Sequence, residues 1–423
     1  MITLELAPAM PSNGKPEWPN ARWVGAIDSA VLNDYGDIHL QESEGYLHAR
    51  LLVRERGFIR GFVDATVTAG VINRDHLLSL VSQLPPADDS GADVRLPSFT
   101  VVVCTRNRPQ YIRTSLAAIL RLDYPDFNVV VVDNASTTSA TQDVLATEFD
   151  DPRIIAIIEP MAGLARARNA GLLRATGEIV AFTDDDVVVD SQWLRELAAG
   201  YAKADNVDCV SGLVPSGELR TRVQGYFDDR VTWSKIIEPR VYNLASPPRS
   251  LPMFPFCVGE YGTGANFSVR RSAALALRGF DTAFGVGTRT GGGEDLDMFV
   301  RIILDGRTLV LNPSALVWHR HRDDIGELRQ QAKGYGNGLG SWLTKILINP
   351  RTFKIAFVRS PHALKQLVSI AWRKPEVSVV QSNAPADEFD RAISRVGWYE
   401  LASVAAGPFL FFRQRLGGER VMR

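Results

Sequence analysis

The chain has 423 residues, is 45% hydrophobic, and sets 47 Lys and Arg against 48 Asp and Glu. At roughly 150 residues per domain this predicts two or three domains with proper cores and excludes a disordered or fibrous polypeptide. The balanced charge gives no reason to expect nucleic acid as a partner, so any electrostatic specialisation must be local.

Met1–Asn20 carries four prolines and no apolar run of signal-peptide length. Residues 1–95 read as a small β-rich module. Leu47, Ala49, Leu51 and Val53 alternate with polar positions, Glu55-Arg56-Gly57 turns the chain, and Phe58–Val63 returns, which is a hairpin pattern. A short helix is expected over Arg74–Leu84, and Pro85–Gly91 reads as a linker. This module could orient an acceptor or mediate oligomerisation, and the sequence leaves both open.

Residues 96–325 change texture. Apolar runs at Phe99–Cys104, Asn128–Val132, Ile154–Ile158 and Ile179–Phe182 alternate with helical stretches, as in an α/β domain whose parallel strands are buried on both faces. Ligands of such sheets sit at the carboxyl ends of the strands. There the sequence places Thr105-Arg106-Asn107-Arg108-Pro109, Asp133-Asn134-Ala135-Ser136 and Thr183-Asp184-Asp185-Asp186, all expected on one rim. Three adjacent carboxylates repel one another unless a counter-ion joins them. Hard oxygen ligands favour Mg²⁺ or Mn²⁺, with Asp184 and Asp186 reaching the ion while Asp185 points elsewhere; a solvated acidic turn or a helix cap is the alternative. Gly163–Gly171 starts a helix that brings Arg166 and Arg168 toward the same rim, where arginines would meet phosphate. Gly291-Gly292-Gly293 precedes Glu294-Asp295, an acidic pair that can place one carboxylate as a general base behind a loop able to close over substrates. His319, after the apolar run ending at Trp318, could add a nitrogen ligand or a hydrogen bond to phosphate.

Residues 326–423 are expected to be basic and mainly helical. The stretch 328–375 has nine Lys or Arg and no Asp or Glu, interleaved with apolar segments, which suits an interfacial region on an anionic membrane or a helical bundle with a basic outer face. Leu401–Phe412 is too short for a span and contains Gly407 and Pro408, so it reads as a buried or interfacial helix end. Cys104, Cys209 and Cys257 show no C-x-x-C spacing, arguing against a disulfide framework or a zinc knuckle. The expected location is cytoplasmic, or peripheral at the inner face of the plasma membrane.

The ordered series Thr105–Pro109, Asp133-Asn134, Arg168-Asn169-x-Gly171, Asp184-Asp185-Asp186, Glu294-Asp295 and Trp318-x-x-His321 resembles the family 2 glycosyltransferases of the GT-A fold over about residues 97–325. The resemblance implies a Rossmann-like core and metal-dependent, inverting transfer from a nucleotide diphosphate sugar, with UDP the commonest carrier, to a glycan or lipid-linked hydroxyl in cell-envelope or polysaccharide synthesis. It implies donor binding by Thr105, Arg106, Asn107, Arg108, Asp133, Arg168, Asn169, Asp184 and Asp185. Asp184 and Asp186 would hold Mn²⁺ or Mg²⁺, with His319 or His321 as a further ligand; Asp295 would be the base and Glu294 would support the acceptor. The rival readings are a sugar-nucleotide-binding scaffold without activity and a metal-dependent phosphatase of the haloacid dehalogenase type, since Asp184-x-Asp186 follows an apolar strand.

Overall fold

A computed structural model describes residues 2–12, 14–87, 94–358, 389, 392, 393 and 395–417. The end of the expected linker, from residue 88, and the basic residues Arg359, Lys365, Arg373 and Lys374 lie outside the described residues.

The N-terminal part builds two three-stranded sheets. Strands β1 (Ile2–Leu6), β3 (Tyr35–Leu40) and β6 (Val71–Ile72) form one; β2 (Arg22–Asp28), β4 (His48–Glu55) and β5 (Phe58–Thr66) form the other. The alternating residues of β4 and β5 pair antiparallel, placing Ala49, Leu51, Val53 and Val63 in a core with Trp23 and Ile72. Helix α1 (Arg74–Val81) closes that core with Leu77 and Val81; the Asn73 side chain caps it by accepting from the His76 amide at 3.0 Å.

The larger sheet has nine strands. Parallel strands β7 (Phe99–Thr105), β8 (Phe127–Asn134), β9 (Ile154–Glu159) and β10 (Ile179–Asp184) stand in the order β10-β7-β8-β9. Beyond β10 follow β14 (Asn266–Arg270), β12 (Val207–Leu213), β15 (Thr308–His319) and β11 (Val187–Val189), with β13 (Arg240–Tyr242) also on β15. Helices α2 (Pro109–Leu120), α3 (Ala140–Glu148), α4 (Leu164–Arg174), α5 (Trp193–Tyr201), α6 (Arg222–Arg230), α7 (Arg271–Ala276) and α8 (Glu294–Leu304) complete the α/β domain. Two expectations need correction. The sheet is mixed, because β14 runs antiparallel between β10 and β12. And β9 is an edge strand with one face open, so Ile158 is 66% exposed; an apolar run alone does not distinguish an edge from a centre.

The N-terminal module braces the end of β15. Met10 packs with Leu213, Leu316 and Trp318, and Arg22 bridges to Leu219. Arg220 pairs with Glu17 on one side and donates to Asp323 Oδ2 at 2.6 Å on the other, while Arg320 donates to the Pro11 carbonyl. The segment carrying His319 is thus held from both sides.

At the other end, α9 (Ile325–Ile348) and α10 (Val396–Gly417) pack side by side. Leu401–Phe412 is the middle of a 22-residue helix, not a helix end. Pro408 removes the donor for the Val404 carbonyl. That carbonyl rests against Gly340, where a Cβ would come within 2.1 Å of it. Beside it, the Gly407 carbonyl accepts from Ser341 Oγ at 3.1 Å.

Candidate active site at the carboxyl rim

In the parallel register Cys104 stands beside Asp184, and Thr105 beside Asp133, so the polar endings of three strands meet. Thr105 Oγ1 donates to Asp185 Oδ2 at 2.7 Å, and Arg108 Nη1 reaches Asp185 Oδ1 at 3.2 Å and Asp186 Oδ2 at 3.1 Å. Asn107 takes a left-handed turn at φ 56°; its amide donates to Ser136 Oγ at 2.9 Å and its Oδ1 accepts from the Thr137 amide at 2.8 Å. Ser136 in turn donates to Asp133, whose other oxygen accepts from Gln142 Nε2 at 3.1 Å. Arg106 remains exposed. Asp185 is outside the group of possible metal ligands; it is the buried anchor of Thr105 and Arg108. Burial, then Asp186, push its carboxyl up to about 7.

The chain turns after Asp184 into the short strand β11, which pairs antiparallel with β15 and sets Val187 opposite His319. The Arg320 amide donates to the Asp186 carbonyl at 3.2 Å. This pairing brings His319 Nε2 within 3.3 Å of Asp186 Oδ1. One ligand atom each from Asp184, Asp186 and His319 lie within 4.8 Å of one another, and two carboxylates with an imidazole suit a divalent ion such as Mn²⁺. Burial works to raise the Asp186 carboxyl, but His319, Arg108 and Arg322 outweigh it and hold the group below the usual carboxylate range. His321 is not part of the group. Its buried ring lies 4.9 Å from that of His319 and 4.4 Å from Phe227, neither ring nitrogen has a hydrogen-bond partner among the described residues, and burial keeps it neutral. Arg322, not identified from sequence, stands 3.9 Å from Asp186 and adds a second guanidinium beside Arg108.

The opposite wall comes from α4 and α8. Arg168 is buried, with Nη1 donating to Glu294 Oε1 at 2.9 Å, Nη2 to the Gly264 carbonyl at 3.0 Å, and Nη2 3.5 Å from Asp184 Oδ1. Its guanidinium also lies over the rings of Phe267 and Phe280 at 5.6 and 5.7 Å. Asn169 clamps the Phe280 backbone, donating to its carbonyl at 2.9 Å and accepting from its amide at 2.7 Å. Both side chains are therefore spent inside the fold, whereas the sequence pattern brought Arg168 toward phosphate and the resemblance gave Asn169 to the donor. Helical spacing gave the face of α4 but not the carboxylate that claims it.

Asp295 begins α8. Its Oδ2 accepts from the Gly264 amide at 2.8 Å and its Oδ1 from the Leu296 amide at 2.8 Å, fixing the plane of the carboxylate. Gly264 thus bonds Asp295 through its amide and Arg168 through its carbonyl; a Cβ there would come within 2.8 Å of Arg168 and 3.0 Å of Asp295. Glu294 is only 5% exposed and turned toward Arg168, so its carboxylate is not on the open face where acceptor support was expected. Burial, then Asp295, push it up to about 7 against the pull of Arg168.

The triglycine also differs from the expected closing loop. Gly291 and Gly293 hold left-handed conformations, at φ 72° and 92°, and lie against α9: a Cβ on Gly291 would meet Gly334 at 3.2 Å, and one on Gly338 would meet Gly292 at 2.7 Å. The glycines allow backbone-to-backbone packing that seats the start of α8.

Residues 100–272 match the family described as Glycosyl transferase family 2. A pre-mycofactocin glycosyltransferase of Mycobacterium tuberculosis is 28% identical over 253 residues, covering 60% of this chain and 48% of that protein. The succinoglycan biosynthesis protein ExoM of Rhizobium meliloti is 30% identical over 226 residues, covering 51% of this chain and 64% of that one. A mannosyltransferase of Pyrobaculum calidifontis, solved with GDP-Man and Mn²⁺, superposes with a TM-score of 0.47 at 22% identity over 76% of this chain and 90% of that chain. The chain spans about half the length of the first of these relatives. With the sequence match lying on the strands that carry the acidic rim, this chain contains a domain of glycosyltransferase family 2.

Proposed function

We propose that the chain is an inverting glycosyltransferase that moves a sugar from a nucleoside diphosphate, with UDP as the carrier, to a hydroxyl of a glycan or lipid-linked acceptor in envelope or polysaccharide synthesis. The observation that carries this reading is the convergence of Asp184, Asp186 and His319 at the end of β10. A divalent ion held by these three would offset the charge that develops on the departing diphosphate. Arg108 and Arg322, both within 4 Å of Asp186, are placed to add charge-assisted bonds to the same phosphates. Asp133, with the Thr105–Pro109 turn, forms the wall for base and ribose.

Asp295 takes the acceptor proton. As the acceptor oxygen bonds to the anomeric carbon, the bond from that carbon to the diphosphate oxygen breaks on the opposite face, and the configuration inverts. The two backbone amides on Asp295 orient it for this step, because they bind its oxygens without donating a competing side chain. Glu294 acts one layer behind: it holds Arg168, which holds Gly264 and stands under Asp184. Peripheral membrane contact through the basic stretch 328–375 belongs to the same reading, since it would bring the site to a lipid-linked acceptor. Among the described residues, no helix is long and apolar enough to cross a membrane.

The test is a panel of nucleotide sugars read by thermal shift with and without Mn²⁺. One donor should raise the melting temperature only when the ion is present. No response to any nucleotide sugar, together with metal-dependent phosphate release from a simple phosphomonoester, would put the phosphatase reading in its place.

A further inference from the structure

Helix α10 is apolar on two opposite faces. At 3.6 residues per turn, Val396, Ser403, Gly407 and Phe411 share one side, and all four are buried. That side is set against α9: Gly336 lies on Glu400 and Ser403, and Gly340 on Val404 and Gly407, so the two helices run parallel. Trp398, Leu401, Phe409, Phe412 and Leu416 share the other side and face outward, with Trp398 74% and Leu416 88% exposed. Single exposed apolar residues need no explanation, but a continuous stripe of aromatic and aliphatic side chains along one helix does.

Charge says what the stripe fits. Within residues 396–412 the sole ionisable acid is Glu400, which is paired with Arg230 off the stripe. Arg395 precedes the stripe and Arg413 follows Phe412, both exposed. A two-fold pairing of this face with a second copy, parallel or antiparallel, would bring arginines together at its ends, whereas anionic headgroups complement them. The stripe from Trp398 to Leu416 extends about 27 Å at 1.5 Å per residue.

The end of the stripe reaches the segment that leads into α8. Lys345 of α9 and Arg415 of α10 both bond Asp281, and the exposed Leu347 lies two residues beyond Lys345 at this same end of the helix pair. The Arg289 amide donates to Gln414 Oε1 at 3.2 Å, and its guanidinium to the Arg413 carbonyl at 3.1 Å. Arg289 is two residues from the triglycine that leads into Asp295.

We propose that the outer face of α10 is a monotopic docking surface for an anionic bilayer, with Phe409, Phe412 and Leu416 in the acyl boundary and Arg413 at the headgroups, and that it sets the Asp295 corner at the lipid surface. Only the second half of this statement rests on the glycosyltransferase reading.

The experiment is co-sedimentation of the full chain with vesicles of phosphatidylcholine, alone or mixed with phosphatidylglycerol. The wild type should bind the mixed vesicles. Phe409→Ser with Phe412→Ser should lower the partition coefficient by about tenfold or more with little change in melting temperature, because Phe409 is 66% and Phe412 48% exposed. Trp398→Ser, at the far end of the stripe, is the second variant and should act in the same direction. Arg413→Gln should weaken binding to the mixed vesicles alone. Wild-type binding by the double variant, or a wild type that stays in the supernatant, would overturn the proposal. So would a dimer that the double variant splits without any vesicle binding. Donor binding with Mn²⁺ is measured on the same proteins free of vesicles. Its absence with vesicle binding intact would sink the transferase reading alone; its presence without vesicle binding would sink the docking face alone.

Discussion

Two acidic segments flank the candidate site, and they are built in opposite ways. Asp184-Asp185-Asp186 follows a strand and is surrounded by side-chain cations and a histidine: Arg108, Arg322, His319 and, from beneath, Arg168. Glu294-Asp295 begins a helix, and its charges are met by the backbone amides of Gly264 and Leu296 and by one buried guanidinium. Mobile side chains can exchange partners when an ion and a diphosphate arrive, while backbone amides cannot. The first segment is organised to receive charge, and the second to keep one carboxylate in a fixed direction.

The sharpest way to break this contrast is to remove a carboxylate from the first segment. Asp186→Ala should lose metal-dependent donor binding by at least about 100-fold, because changes outside the coordinating shell already cost 10–100-fold in metal affinity. Asp184→Ala should do the same, and turnover should vanish in both. Isothermal titration of nucleotide sugar with and without Mn²⁺ reads the effect. Unchanged metal-dependent affinity in either variant would reduce the triplet to a structural turn.

The second segment should respond differently. Asp295→Asn is expected to leave donor affinity within a few fold and lower kcat by about 10²-fold or more, since the amide keeps the shape but cannot take a proton. Glu294→Gln leaves Arg168 without its closest counter-charge. Its main effect is then expected on stability, about 1–3 kcal/mol in denaturant unfolding, with a smaller loss of turnover. Steady-state kinetics and melting curves on the pair decide this. A deep loss of kcat in Glu294→Gln at unchanged stability would exchange the two roles.

The same contrast governs what could be read before the structure. The rim was legible because buried strands write themselves as apolar runs, so whatever ends a run is at the edge of the sheet; the triplet, Thr105–Pro109 and Asp133 all follow from this. His319 was legible as a residue ending β15, but its pairing with Asp186 depends on β11, three residues long, whose register no periodicity announces. Arg168 and Asn169 were visible as polar residues on α4, yet their partners, Glu294 and the Phe280 backbone, stand more than a hundred positions away. Arg322 gave one signal, two arginines interleaved with two histidines after Trp318, and nothing in it distinguished the arginine facing Asp186 from Arg320, which turns to Pro11. The alternating glycines of α9, Gly334, Gly336, Gly338 and Gly340, are equally mute in sequence, because i, i+4 spacing defines a face without naming its neighbour.

Those glycines supply the smallest and most discriminating prediction. Gly338 and Gly340 lie on different faces of one helix: Gly338 meets Gly292, next to the Asp295 corner, and Gly340 meets Val404 of α10. In an isolated helix, alanine at either place would stabilise by about 0.8–1 kcal/mol. Here a Cβ would stand 2.7 Å from the Gly292 carbonyl carbon and 2.1 Å from the Val404 oxygen, and both obstacles are backbone that cannot rotate away. Overpacking of this kind typically costs about 1–3 kcal/mol, so each substitution should lower the melting temperature despite the better helix former. The two should then part. Gly338→Ala displaces the segment that seats Asp295 and is expected to lower kcat as well, while Gly340→Ala spreads α9 from α10 and should leave kcat near the wild-type value in a vesicle-free assay. Thermal melts with steady-state kinetics on both variants test this. A higher melting temperature for either would show that the close approach tolerates a methyl group, and equal kinetic losses would mean that the helix pair and the Asp295 corner move as one unit.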